Sequence, residues 1–164
     1  MSVRITYIRP SHVESLHRAL DVIAREGRYF LRDKAPPLAD FREFVARQIR
    51  ADLPQYVALD GNRVVGWIDI SAEDDPARRH LGNLGIGVLP EYRRQGVGRR
   101  LVRRALQHAL QKSRLVRVQL DVYTDNSAAI ALYTRLDFQV EGISRKAVRL
   151  NRKYKDVVRM AIVV

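Results

Sequence analysis

The chain has 164 residues, of which 46% are hydrophobic and 29% charged, and its 30 Lys and Arg against 18 Asp and Glu give a formal net charge of +12. That length is most simply one domain with room for a proper core, so a single domain over residues 1–164 is expected. The lack of Cys excludes disulfides, thiolate metal ligands and a Cys nucleophile, and no run approaches the ~18 apolar residues of a membrane span. The opening Met-Ser-Val-Arg-Ile-Thr-Tyr lacks the apolar centre of a secretion signal, which points to the cytoplasm. The positive charge is spread along the chain without a basic tail or interleaved aromatics, a pattern that favours an anionic cofactor and general surface charge over a nucleic-acid partner.

Ile5, Tyr7 and Ile8 predict a first strand, ended by Pro10. Ser11-His12-Val13-Glu14 reads as a capping box, with Ser11 capping and Glu14 reaching back. It opens a helix whose Val13, Leu16, Leu20 and Ile23 share a face and which stops at Gly27. A basic, aromatic linker, Arg28-Tyr29-Phe30-Leu31-Arg32 to Pro36-Pro37, leads to a second helix marked by Phe41, Val45 and Ile49. Residues 55–59, the turn Asp60-Gly61-Asn62 and residues 63–71 form a β-hairpin, and residues 72–79 a loop.

The most informative stretch runs from Leu81 to Leu110. A Gly-spotted apolar strand ends at Val88, a Pro-started turn follows, and then comes Arg93-Arg94-Gln95-Gly96-Val97-Gly98. After it, Val97, Leu101, Val102, Ala105, Leu106, Ala109 and Leu110 recur at helical spacing, with Arg99, Arg100, Arg103, Arg104, Gln107 and Lys112 opposite. The first amides of a helix lack internal partners and sit at the positive end of its dipole, and two glycines leave room for close approach. The loop therefore reads as a pyrophosphate cradle. A dinucleotide fold competes, since Gly96-Val97-Gly98 begins G-x-G-x-x-G and Asp121 lies at a suggestive distance, but Leu101 stands where the third Gly belongs. A solvated strand–turn–helix connection is the plainest alternative.

Val116, Val118, Leu120 and Val122 alternate with Arg117, Gln119, Asp121 and Tyr123, a strand after its crossover helix and hence one parallel βαβ unit. Residues 124–138 follow, where Asp125 or Asn126 can cap a helix with Ala129, Leu132, Tyr133 and Leu136 on one face. Residues 138–164 read as two antiparallel strands around Asn151-Arg152.

Arg-x-x-Gly-x-Gly after a strand ending Gly-Ile-x-Val, followed at the right distance by Asn-x-x-Ala-x-x-Leu-Tyr-x-x-Leu-x-Phe, resembles the paired motifs of the Gcn-related N-acetyltransferase (GNAT) superfamily. The resemblance covers Leu81 to Phe138. Gly142, Tyr154, Asp156 and Met160-Ala161 are similar to the branch of small-amine and L-amino-acid N-acetyltransferases. Asp137 stands where the family commonly has Gly, and Arg152 where relatives often have the Gly of Asn-Gly.

The resemblance implies an α/β (α+β) fold: a central mixed, mostly antiparallel twisted sheet, helices on both faces, and one parallel βαβ unit holding the cofactor loop. It implies acetyl transfer from acetyl-CoA to a primary amine, a small amine or amino acid, by direct attack in a ternary complex, with no metal. Tyr133 becomes the general acid for the departing thiolate. Backbone groups of Ile86 and Val88 hold the pantetheine arm, Asn126 contacts it, and Arg93, Arg94, Gln95, Gly96, Val97, Gly98 and Arg99 surround the pyrophosphate. Tyr29 and Phe30 become candidates for the acceptor pocket wall. The base is left open among residues near the cleft: Asp69 or Asp121 through water, or none at all, with Asn83 the nearest polar group on the strand before the loop. A small-molecule amine and a second copy of the chain are the implied partners, without membrane or nucleic acid. The alternatives are a protein N-terminal or lysine acetyltransferase, and a non-catalytic module that binds acyl-CoA or nucleic acid on the same fold.

Overall fold

The computed structural model describes residues 2–164. Seven strands form one sheet: β1 (Arg4–Tyr7), β2 (Gln55–Asp60), β3 (Arg63–Ala72), β4 (Leu81–Val88), β5 (Arg117–Tyr123), β6 (Gln139–Leu150) and β7 (Lys153–Val163). Their order is β1-β2-β3-β4-β5-β7-β6, antiparallel throughout except for the β4–β5 pair. The helices are α1 (Val13–Arg25), α2 (Leu38–Arg50), α3 (Val97–Gln111) and α4 (Ser127–Thr134). No helix among the described residues is long and apolar enough to cross a membrane.

The amphipathic helices sandwich the sheet. Leu101 of α3 packs beneath Gly66 of β3, and its neighbour Val102 is also without exposure; each such side chain contributes about 1.5–3 kcal/mol of burial. Leu20 and Ile23 of α1 and Phe41 and Phe44 of α2 border a cleft on the opposite face together with Trp67 and Asp69 of β3. Phe30, in the linker between α1 and α2, stacks on Trp67 with ring centroids 5.8 Å apart.

The first helix starts differently from the sequence expectation. Pro10–His12 is a 3-10 turn, α1 begins at Val13, and neither Ser11 nor Glu14 caps it. The His12 ring accepts the Arg9 amide instead, at 3.1 Å, while Glu14 is drawn to Arg42 of α2 at 2.5 Å. An ion pair between helices thus takes the carboxylate that a capping box needs. The Asn151-Arg152 turn has φ of 49° and 62°, a type I′ geometry in which Arg152 holds a left-handed conformation that glycine adopts without strain.

Candidate active site

The site is built on a strand pair that opens partway. β4 pairs with β5 at Leu81–Arg117, Gly82–Val118 and Asn83–Gln119, and the pairing stops there. The Leu89 amide bonds the Val65 carbonyl, and the Glu73 amide that of Leu81. The alternation of antiparallel bonding then turns the backbone groups of Leu84, Ile86 and Val88 away from β3 and toward the gap. Those of Asp121 and Tyr123 face it from β5, because Thr124 donates to Asp156 and Val164 to Val116. The result is a notch with unpaired backbone on both edges.

At the notch's mouth, none of the six consecutive amides from Arg94 to Arg99 donates to an acceptor among the described residues; the first α3 bond comes from the Arg100 amide to Gly96. Two left-handed residues, Arg94 (φ 61°) and Gly96 (φ 78°), turn the chain there, and Gly96 caps the helix. A Cβ at Gly96 would meet nothing, and one at Gly98 would only touch Leu132 at 3.5 Å and Ile86 at 3.9 Å. The cradle is therefore open on the side where an anion would enter, and its donors are unspent.

The remaining loop residues divide by what their side chains touch. Arg94 and Arg99 are exposed and have no ion-pair partner among the described residues, whereas Val97 is buried in the core and offers only its amide. Gln95 donates to the Glu91 carbonyl at 2.8 Å. Arg93 departs from the expected pyrophosphate role: its guanidinium makes two bonds to Glu26 (2.6 and 3.0 Å) and one to the Val88 carbonyl (2.9 Å), and covers the Tyr29 ring at 4.8 Å. A partner 67 residues away neutralises that charge and ties the α1–α2 linker to the root of the cradle.

Asn126 caps α4 by accepting the Ala129 amide at 3.2 Å, which leaves its amide nitrogen without a recorded partner. Seven residues on, Tyr133 is 6% exposed, packed beside Phe138 at 5.6 Å, and lines the cleft. Its hydroxyl has no hydrogen-bond partner among the described residues, and burial alone pushes that group well above the ordinary phenol value.

The other face carries the acceptor candidates. Trp67 lies so close over Gly87 that a Cβ there would sit 2.3 Å from its ring, and the Asp69 carboxylate rests over Gly85. Asp69 is pushed up to about 7 by burial, against a Ser71 hydroxyl that donates to it at 3.3 Å and the nearby charge of Arg32. Asp121 is held by Arg159 in a two-bonded pair at 2.7 Å. Asn83 is also engaged, donating to Glu73 at 2.8 Å and accepting from Gln119 at 2.9 Å. Tyr29 is exposed and capped by Arg93, while the Phe30 carbonyl accepts the Tyr123 hydroxyl at 2.9 Å.

Every site residue expected from the sequence except Gln95 borders one cleft of about 1570 Å3, which joins the cradle, the notch, Tyr133 and Asp69. A smaller groove of about 670 Å3 between β1 and α3, lined by Arg4, Arg100, Arg103 and Arg104, contains none of them. Among the described residues no three His, Asp or Glu side chains stand together as a metal site would require. Trp67, Ser71, Arg32 and Arg159 are not among the site residues the sequence singles out; only the period-2 pattern of the 63–71 strand could have put Trp67 and Ser71 beside Asp69.

A family model described as the acetyltransferase (GNAT) family matches residues 17–138. An L-amino acid N-acetyltransferase of Escherichia coli is 32% identical over 68% of this chain and 69% of its own. An N-alpha-acetyltransferase of Mycobacterium tuberculosis is 35% identical over 77% and 75%. Among solved structures, a GNAT-family acetyltransferase from Streptococcus pneumoniae superposes with TM-score 0.92 at 24% identity, covering 99% of this chain and 100% of that one. The yncA structure from Salmonella typhimurium, with its cofactor acetyl-CoA, gives 0.93 at 15% identity, covering 99% and 94%.

Proposed function

The chain belongs to the acetyltransferase (GNAT) family and is an acetyl-CoA-dependent N-acetyltransferase, and we propose that its acceptor is the primary amine of a small molecule, an amine or amino acid. The observation that carries this reading is a single cleft that brings the cradle with its unspent amides together with the open β4 edge, Tyr133 and the Asp69 carboxylate.

The residues fit the donor. The amides from Arg94 to Arg99, with the charges of Arg94 and Arg99, would hold the pyrophosphate, and the backbone of Ile86 and Val88 with the Asn126 side chain would hold the pantetheine arm. Acetyl-CoA, when bound, supplies the thioester carbonyl that the amine attacks and the thiolate that leaves. Asp69 takes the proton from the acceptor's ammonium, directly or through a water; with a pKa of about 7 it is half ionised at neutral pH, near the optimum for a general base. Asp121 is the weaker candidate, because its charge is spent on Arg159. Tyr133 stays protonated across the physiological range and, bordering the cleft with an unpartnered hydroxyl, would supply the proton to the departing thiolate. The burial that raises its pKa makes this donor weaker than a free phenol, so a hydrogen bond to developing negative charge must offset part of the mismatch.

The kinship with an N-alpha-acetyltransferase favours a second reading, in which the acceptor is the α-amine of a peptide. One experiment separates the two: thiol release from acetyl-CoA across amino acids, simple amines and peptides, with wild type, Tyr133→Phe and Asp69→Asn in parallel. Small acceptors should turn over, and both variants should lose turnover while retaining acetyl-CoA binding. Turnover of peptides alone would select the second reading. The resemblance that brings the family also brings the expectations of a homodimer and of a cytoplasmic location, and sedimentation of the purified chain tests the first.

A further inference from the structure

Beyond Trp67, the acceptor end of the cleft is walled by Phe30, Phe41 and Phe44, an apolar lining that favours a hydrocarbon body. Its charges fall into two groups. Asp121 and Arg159 neutralise each other. Among the described residues Arg32 of the linker and Arg47 of α2 have no hydrogen-bond or ion-pair partner, and they border the same cleft as Asp69; Arg32 stands near enough for its charge to act on that carboxylate. Asp40, at the start of α2, is the other acid on this rim. A location in the last turn of α2 suits Arg47 through the helix dipole, yet the dipole does not account for a second cation bordering the same cleft from the linker. Two unspent guanidinium groups beside an apolar chamber match a planar anion. They repel the second charge of a polyamine.

We infer that the acceptor carries an anionic group beside its amine, with the amine toward Asp69 and the anion received by Arg32 and Arg47; the inference rests on the transferase reading above. The acceptor class is then an α-amino acid or a close carboxylate analogue with an apolar side chain. A polyamine or a plain alkylamine would leave both arginines unpaired.

The test pairs each common L-amino acid with its primary amide and adds spermidine. Binding is measured by calorimetry on the full chain saturated with coenzyme A, alongside acetyl-CoA turnover. At least one apolar amino acid should bind about 10-fold or more tighter than its amide. The Arg32→Gln/Arg47→Gln double variant should bring that pair to within about twofold, while coenzyme A affinity stays within about twofold because neither residue lies at the cradle. An amide preferred or equal in every pair, spermidine bound more tightly than any amino acid, or a double variant that keeps the preference would each overturn the inference. Failure of the wild type to bind acetyl-CoA or to release its thiol with any amine would instead sink the transferase reading, and is visible in the same experiment.

Discussion

The β4–β5 pair is closed at its start and open at its end, and the two halves are made of different material. At the closed end, Asn83 and Gln119 bond each other across the strands. Glu73 continues the polar ladder on one side, and Arg117 and Glu141 on the other. At the open end β4 carries Gly85 and Gly87, over which Asp69 and Trp67 lean, and the α3–α4 side brings Gly98 against Leu132. The contrast teaches where stability and function are stored. The ladder satisfies every polar group it contains and fixes the register, whereas the open half leaves backbone donors and a phenol without partners among the described residues, and a carboxylate with a single hydroxyl donor. Unspent polar groups cost stability in the free chain. A ligand that satisfies them recovers that cost, which is why the open half is the place to bind one.

Tyr133→Phe should give the largest effect. It removes only the hydroxyl, and kcat should fall by roughly 10²–10⁴ with acetyl-CoA affinity within a few-fold. Because no protein partner is lost, stability should hold or rise by up to ~1 kcal/mol. A clear loss of stability with kcat preserved would move Tyr133 from the open half's chemistry into the core. Burial also places its titration beyond the working range, so the pH–rate profile should show no alkaline limb from this residue.

Asp69→Asn should lower kcat/KM by roughly 10²–10³ at neutral pH and erase the acidic limb expected of the wild type, with a midpoint of about 7. Its sign on stability is opposite to that of most carboxylates. The folded chain holds this proton more tightly than the unfolded one, so the contribution is full below the unfolded value and is lost as pH rises toward 7. The variant should therefore melt higher than wild type at about pH 8 and no higher at about pH 4. An unchanged acidic limb would hand the base to another group.

Gly98→Val tests the cradle without the strain that φ of 78° imposes at Gly96. A Cβ at Gly98 makes only ordinary van der Waals contacts in the free protein, and the substitution replaces a poor helix former, so melting should hold steady, while acetyl-CoA affinity falls by about 10²-fold or more. Calorimetry showing wild-type affinity would remove the pyrophosphate from this loop. The closed half should answer in the reverse sense. Gln119→Ala strips Asn83 of its donor and opens space at a residue only 4% exposed. It should cost about 1–3 kcal/mol in chemical denaturation and shift kcat little.

The sequence made the local parts of this site legible. Pro90, the glycines of the loop and the apolar repeat of α3 act within a few residues of each other, and so do the Asn126 cap and Tyr133. What escaped it depends on register or distance. Asp69 could be named but not chosen, because its pKa is set by its resting place over Gly85 on another strand. Arg93 read as a phosphate ligand because Glu26 is 67 positions away. Ser11 and Glu14 read as a box because nothing local announces Arg42.

The smallest effect expected is that of Asp137→Gly, at the end of the helix that borders the open half. Asp137 has φ of 67°, and the bonds around it form a Schellman-type stop: the Phe138 amide reaches the Tyr133 carbonyl at 3.1 Å, and the Asp137 amide reaches Thr134 at 3.2 Å. An L-residue in this conformation costs about 1 kcal/mol, less for Asp than for most, and Gly returns part of that gain through a freer unfolded chain. The net should be about 0.5 kcal/mol of added stability, or one to two degrees in Tm for a chain of this size. Because the turn that holds Tyr133 keeps the same bonds, kcat and both KM values should not move. A rise in Tm with a fall in kcat would show instead that the strained stop positions the Tyr133 hydroxyl. The open half would then draw its geometry from the end of α4 as well as from the gap between the strands.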